Sequence, residues 1–137
     1  EMFEFEIDLD EALPPVNVNE FVIWEILEPL IQNSIDHGQK SSLNIKIQTK
    51  YDTASNTSYI FISDNGVGIS PDFLEYNEKK IKKIFLESES TAKQYGIHSG
   101  YGCYIAYQMA VGRCGWLLDA ENPEEGGCKF TIKIKNR

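Results

Sequence analysis

A carboxylate and two closely spaced glycines follow an apolar run: "YIFI" (residues 59–62) leads into "SDNGVGIS" (residues 63–70). The carboxylate of Asp64 can only accept hydrogen bonds, so it can read an amino group directly. Gly66 and Gly68 let the main chain turn or approach a ligand closely. The same letters are also ordinary turn chemistry at a strand end. Asn33 and His37 stand four residues apart in a helix-periodic stretch and so share one face. An amide oxygen such as that of Asn33 suits Mg²⁺, a cation that prefers oxygen ligands. A polar helix face is equally often just a wet one, and Gln32 with Asp36 forms a second, more solvent-facing polar pair. Gly100 and Gly102 bracket Tyr101 immediately before another apolar helical stretch. Unpaired N–H groups at a helix start can face an anion there, although a loop-to-helix hinge needs the same glycines.

The surrounding chain supplies the elements that would hold these groups. "FEFEIDLDE" alternates strictly, with Phe3, Phe5, Ile7 and Leu9 on one side and acids on the other, which predicts a half-buried strand. Asn17 with Glu20 three residues on predicts a capping box, and Gly38 a C-terminal stop, for a helix over about Val18 to His37. Phe21, Trp24, Leu27, Ile31 and Ile35 run down one side of it at helical spacing. Pro29 lies inside and should kink it. Strands are expected near 43–50 and 58–63, then one or two short helices in "PDFLEYNEKKIKKIFLE" and a mobile loop in "SESTAKQYGIHSGYG". A helix follows in "CYIAYQMAVGR", and "GWLLDAE", "NPEEGG" and "CKFTIKIK" predict a terminal hairpin. The order predicts an α/β two-layer sandwich, a largely antiparallel mixed sheet with helices on one face.

The 137 residues fit one domain, and 42% hydrophobic with 25% charged residues is ordinary for a globular protein. No apolar run reaches the ~20 residues that span a bilayer, and no signal segment opens the chain. The first residue is Glu1 rather than Met, so a fragment of a larger protein is expected. A net charge of −8 argues against nucleic acid as a partner. Cys103, Cys114 and Cys128 lack metal-ligand spacing and are expected to be reduced small hydrophobes.

Taken together, these blocks resemble the ATP-binding domain shared by gyrase, Hsp90, histidine kinases and MutL. "LEPLIQNSIDHG" is similar to its N box, "DNGVGI" to its G1 box and "SGYGCYIA" to its G2 box. "IKKIFLESESTAK" resembles the histidine-kinase stretch from the F box into the nucleotide lid, and "AENPEEGGCKFTIKI" the closing hairpin of sensor kinases. The resemblance implies ATP and Mg²⁺ as ligands. Asp64 would accept from the adenine amino group, with Gly66, Gly68 and Ile69 beneath the base. Asn33 would hold Mg²⁺, and His37 and Phe85 would lie beside the nucleotide. Gly100, Tyr101 and Gly102 would meet the phosphates, and Lys93 in "STAK" would reach the terminal ones.

The function so implied is a catalytic domain that binds Mg·ATP and passes the γ-phosphate to a histidine on a separate dimerisation domain. A response regulator would act downstream. The fragment would be monomeric and cytoplasmic, the parent a homodimer, soluble or anchored in the inner membrane. Neither His37 nor His98 lies in a segment resembling a phosphoacceptor box. Two other readings remain. An anti-sigma-factor serine kinase has a similar domain, but with a Glu where Pro29 stands here. A degenerate nucleotide sensor is motivated by Asp36, where many kinases carry Lys or Arg, and by His98 in place of the first glycine of a G-x-G-x-G pattern; Phe85, standing alone in its box, is a further departure from the family's pattern.

Overall fold

The computed structural model describes residues 2–38, 42–87 and 102–137. Five strands form one sheet in the order β1-β2-β3-β5-β4. They are β1 (Met2–Asp8), β2 (Ser42–Asp52), β3 (Thr57–Asp64), β4 (Leu117–Glu121) and β5 (Lys129–Lys135). β1 runs parallel to β2, and every other pair is antiparallel. Helix α1 (Glu20–His37) and helix α2 (Gly102–Tyr107) lie side by side over one face. α2 continues as a π-helical turn over Gln108–Arg113, closed by the Cys114 N–H donating to the Met109 carbonyl at 3.0 Å. The expected two-layer sandwich is therefore the fold. Among the described residues between β3 and α2 are two single 3₁₀ turns, Pro71–Leu74 and Lys83–Phe85. The expected mobile loop lies outside the described residues.

Alternation along the strands places Leu43, Ile45, Ile60, Ile62, Phe130 and Ile132 on the helix side, all buried. Val22, Ile26 and Leu30 of α1 and Cys103, Ala106 and Ala110 of α2 close the core from above. The buried stripe of α1 thus differs from the expected one. Leu27, Ile31 and Ile35 are only partly buried, and Phe21 and Trp24 are exposed on the outer face. The stripe is set by which side meets the sheet, and it falls one residue round from the aromatic positions.

Two further expectations are corrected. The N-cap of α1 is Asn19, not Asn17: its side chain accepts from the Phe21 N–H at 2.8 Å, and Glu20 opens the first turn. The Val18 N–H is turned back onto the Val16 carbonyl at 2.9 Å, so the chain is still rounding a tight turn at Asn17. Along β1, Phe3, Phe5, Ile7 and Leu9 are 40–65% exposed rather than half-buried. Phe3, Phe5 and Ile7 pair in register with Leu43, Ile45 and Ile47, on the core side of an edge strand, but α1 lies over β2 and β3 and leaves that edge open. α1 continues through Pro29.

Candidate functional site

The C-terminal end of β3 and the last turns of α1 enclose a cleft of about 260 Å³. Asn33, Ser34 and His37 line it from α1, Asp64 from β3, and Val67 through Pro71 from the segment that follows. Ile84 and Cys128 complete it. Asn33 and His37 do share a face, and that face looks into the cleft. Asp36 does not: it accepts from Gln32 Nε2 at 2.9 Å on the exposed side of α1.

Asp64 is held by main chain. Its Oδ1 accepts the Gly66 N–H at 2.8 Å and the Cys128 N–H at 3.3 Å. Its Oδ2 takes no hydrogen bond from the described residues, so one carboxylate oxygen remains for a ligand donor. The turn after Asp64 is pinned from three directions. Asn65 continues the sheet, its side chain accepting from the Asn44 N–H at 2.8 Å and its own N–H meeting the Asn44 carbonyl at 3.2 Å. Val67 donates to the Gly38 carbonyl at 3.1 Å. Asn122, from the loop after β4, accepts from the Ile69 N–H at 2.7 Å and donates to the Ile69 carbonyl at 2.6 Å.

The glycines serve this close packing. A Cβ on Gly66 would stand 2.6 Å from the Gly38 Cα, so the two glycines allow α1 and the turn to touch. Gly38 itself keeps helical dihedrals (φ −65°, ψ −33°), which makes close approach, not a left-handed stop, its reason for being glycine. Gly68 is left-handed (φ +85°), a conformation side chains with a Cβ rarely adopt.

The electrostatics are simple. Desolvation lowers the pKa of half-buried His37 from its usual 6.5, only partly opposed by the neighbouring Asp36 charge, so the ring is neutral at pH 7. Burial, and then the Asp64 carboxylate, push the Cys128 thiol far up, so it stays protonated and acts as apolar wall. All three cysteines are free. Ser34 Oγ is buried at the cleft with no hydrogen-bond partner among the described residues, an arrangement that fits a polar ligand. Asn33 supplies an oxygen donor of the kind Mg²⁺ takes, so the residues present fit Mg²⁺ bound with phosphates.

Three expected site residues, Phe85, Gly102 and Gly66, are not in the cleft lining. Phe85 is fully buried, stacked on Tyr107 (centroids 5.0 Å apart) and tilted against Phe130, and it backs the cleft through its neighbour Ile84. Gly102 packs on Pro29, where a Cβ would stand 3.3 Å from the proline Cβ, and it is not among the residues lining the cleft. Gly66 is structural in the way described above. Lys93, His98, Gly100 and Tyr101 lie outside the described residues. Asn122 and Ser34 are residues the sequence did not single out; an Asn at a strand end is too common a turn signal to mark the first, and a helical Ser beside Asn33 carries no signal of its own.

Residues 19–137 match the family described as histidine kinase-, DNA gyrase B-, and HSP90-like ATPase. Phytochrome-like protein Cph1 of Synechocystis sp. is 28% identical over 127 residues, 91% of this chain and 16% of that protein. Cyanobacterial phytochrome B of Nostoc sp. is 30% identical over 131 residues, 96% of this chain and 16% of that protein. The chain thus spans about a sixth of the length of these relatives. Among solved structures, the catalytic domain of histidine kinase ThkA superposes with a TM-score of 0.74 at 23% identity, covering 96% of this chain and 79% of that one. Full-length ShkA, solved in complex with AMPPNP, gives a TM-score of 0.74 at 16% identity over 97% of this chain and 25% of that one.

Proposed function

The chain belongs to the family of histidine kinase-, DNA gyrase B- and HSP90-like ATPases, and from that premise we propose that it is the catalytic domain of a sensor histidine kinase. It is one domain of a larger homodimeric protein, and it passes the γ-phosphate of ATP to a histidine on a separate dimerisation domain. A response regulator then takes the phosphate onward.

The observation that carries this reading is Asp64. One oxygen is fixed by two main-chain N–H groups and the other is left for the adenine amino group. That amino group is what separates adenine from guanine, whose equivalent position carries an acceptor. Gly68 and Ile69 lie beneath the base, and Asn33 and Ser34 face the phosphate side, with His37 neutral beside them. Mg²⁺, when bound through the Asn33 amide oxygen, supplies charge neutralisation on the phosphates. Lys93, Gly100 and Tyr101 are proposed to meet the phosphates from the segment outside the described residues.

Asp64 is the only carboxylate lining the cleft among the described residues, so on the proposed phosphate side they supply no carboxylate base to activate water. Phosphoryl transfer needs mainly positioning and charge neutralisation, so the acceptor histidine can come from elsewhere. Among the described residues Asp36 does not line the cleft and pairs with Gln32 instead, which favours the kinase reading over a degenerate sensor.

The test is reconstitution. The chain is mixed with Mg·ATP and the histidine-bearing domain of its parent protein, and phosphoprotein is followed. Acid-labile phosphohistidine is the expected product. Acid-stable phosphoserine on an added anti-sigma-antagonist protein would move the assignment to the serine-kinase branch, and no phosphoprotein at all would contradict both.

A further inference from the structure

The sheet face turned away from α1 and α2 carries a regular array on its three central strands. Register sets it out in rows across β2, β3 and β5: Lys46–Ser63–Lys129, then Gln48–Phe61–Thr131, then Lys50–Tyr59–Lys133. Two lysines stand on β2 and two on β5, about 13 Å apart along each strand and about 10 Å across. Between these columns Tyr59 and Phe61 stack, their planes 3° and their centroids 5.7 Å apart, and both are half-buried. A chain of net charge −8 with only 13 Lys and Arg thus gathers four lysines on one strip.

Acids surround the strip. Glu6 and Asp8 of β1 lie outside the β2 column, Asp119 and Glu121 of β4 outside the β5 column, and Glu125 of the hairpin turn stands at the Ser63 end. Of the four lysines only Lys46 is drawn into an ion pair among the described residues, with Glu6 at 3.5 Å. Lys129 lies over the Phe61 ring, 4.4 Å from its centroid.

We propose that this strip docks an acidic polypeptide segment of a partner protein, laid along β3, with Asp or Glu side chains reaching both lysine columns and an apolar side chain over Tyr59 and Phe61. The spacing selects the occupant. A gap of about 10 Å takes one helix or one strand, and carboxylates on both of its sides then find lysines. A single nucleic-acid strand stacks its bases on open aromatic faces, but Lys129 already covers Phe61. Duplex nucleic acid or an anionic membrane is broad enough to meet the surrounding acids as well, and is repelled by them. A two-fold face-to-face dimer would set the lysine strip on itself. Lys50, Tyr59 and Lys133 do not line the Asp64 cleft, so the inference stands apart from the nucleotide reading.

The probe is a labelled synthetic Glu/Leu peptide, compared with a Lys/Leu peptide of the same pattern and with a single-stranded oligothymidylate of the same net charge. Binding is read by anisotropy at rising salt. The Glu/Leu peptide is expected to bind, to weaken as salt rises, and to bind about tenfold more tightly than either competitor. Lys50→Glu and Lys133→Glu should each lower its affinity about tenfold, whereas Arg113→Glu, an equal charge change at the end of the helical layer, leaves it unchanged. Tyr59→Ser should lower it about fivefold. Circular dichroism checks the fold; Lys50 is exposed, so its variant stays folded and decides the matter if Lys133→Glu does not. ATP affinity should be the same in all these variants, which separates failure here from failure at the cleft. Equal binding of the two peptides, oligothymidylate binding as tight as the Glu/Leu peptide, undiminished binding by Lys50→Glu, or a dimer of the chain that Lys50→Glu dissolves would overturn the proposal.

Discussion

Asp64 shows how much one residue can and cannot say from sequence. Its place at a strand end before two glycines was legible, because a turn and a carboxylate are both written in "SDNGVGI". What distinguishes the site from a plain turn is the division of labour between its two oxygens, and that depends on Cys128, 64 residues away. Asn122 is similar: its two bonds to Ile69 join residues 53 apart. Asn122→Ala is expected to cost about 1 kcal/mol of stability, at the low end for a two-bond clamp because the residue is at the surface. Urea denaturation would show it, and the loosened turn should weaken ATP binding in a parallel titration. His37 gives a pH dependence. Its folded pKa lies below the unfolded 6.5, so the unfolded chain binds the proton first as pH falls. Stability is therefore full above about pH 6.5, declines below it, and levels as pH passes the folded pKa. His37→Gln should flatten this decline in denaturation midpoints measured from pH 7.5 to 5.5.

At the scale of elements, periodicity identified every strand and both helices among the described residues but not which neighbours cover them. The alternation in "FEFEIDL" is real, and Phe3, Phe5 and Ile7 do face one way. Whether that side is buried depends on how far α1 reaches across the sheet, which no local pattern encodes. Phe21 and Trp24 were read as core for the same reason: helical spacing finds a stripe, while the flanking glutamates that mark it as a surface stripe carry equal weight elsewhere on α1. Gly102 packs on Pro29, a contact that the sequence does not announce, since a helix start and a helix crossing both favour a residue without Cβ. The start of α1 was misplaced by two residues because Asn17 and Asn19 are equally good caps in composition. Substitution resolves them: Asn19→Ala should destabilise by about 1 kcal/mol, and Asn17→Ala by no more than a few tenths, in chemical denaturation.

For the molecule as a whole, the five-stranded sheet and its two helices bring α1, the end of β3 and the loop after β4 to one cleft, and the charged chemistry inside is sparse. Among the described residues, that sparseness suits the proposed kinase, which would keep ATP intact until an acceptor arrives. Phosphate release by the chain alone is expected to be very slow. Glu28, the nearest carboxylate to Asn33 on the N-terminal side of α1, lines a groove between α1 and α2 and not the cleft. Glu28→Gln should therefore leave the residual rate unchanged, whereas a collapse of fast hydrolysis on this change would identify a true ATPase. The most direct measurement is calorimetric titration of the chain and of Asp64→Asn with Mg·ATP and Mg·GTP. An Asn side-chain oxygen can still hold the Gly66 and Cys128 N–H groups, so the turn survives while the free acceptor becomes an amide. ATP should bind the unaltered chain and GTP hardly at all, and Asp64→Asn should weaken ATP by roughly 1.5–3 kcal/mol, tenfold to over a hundredfold. Equal affinities for ATP and GTP, unchanged by the substitution, would contradict the reading of Asp64 as the adenine anchor.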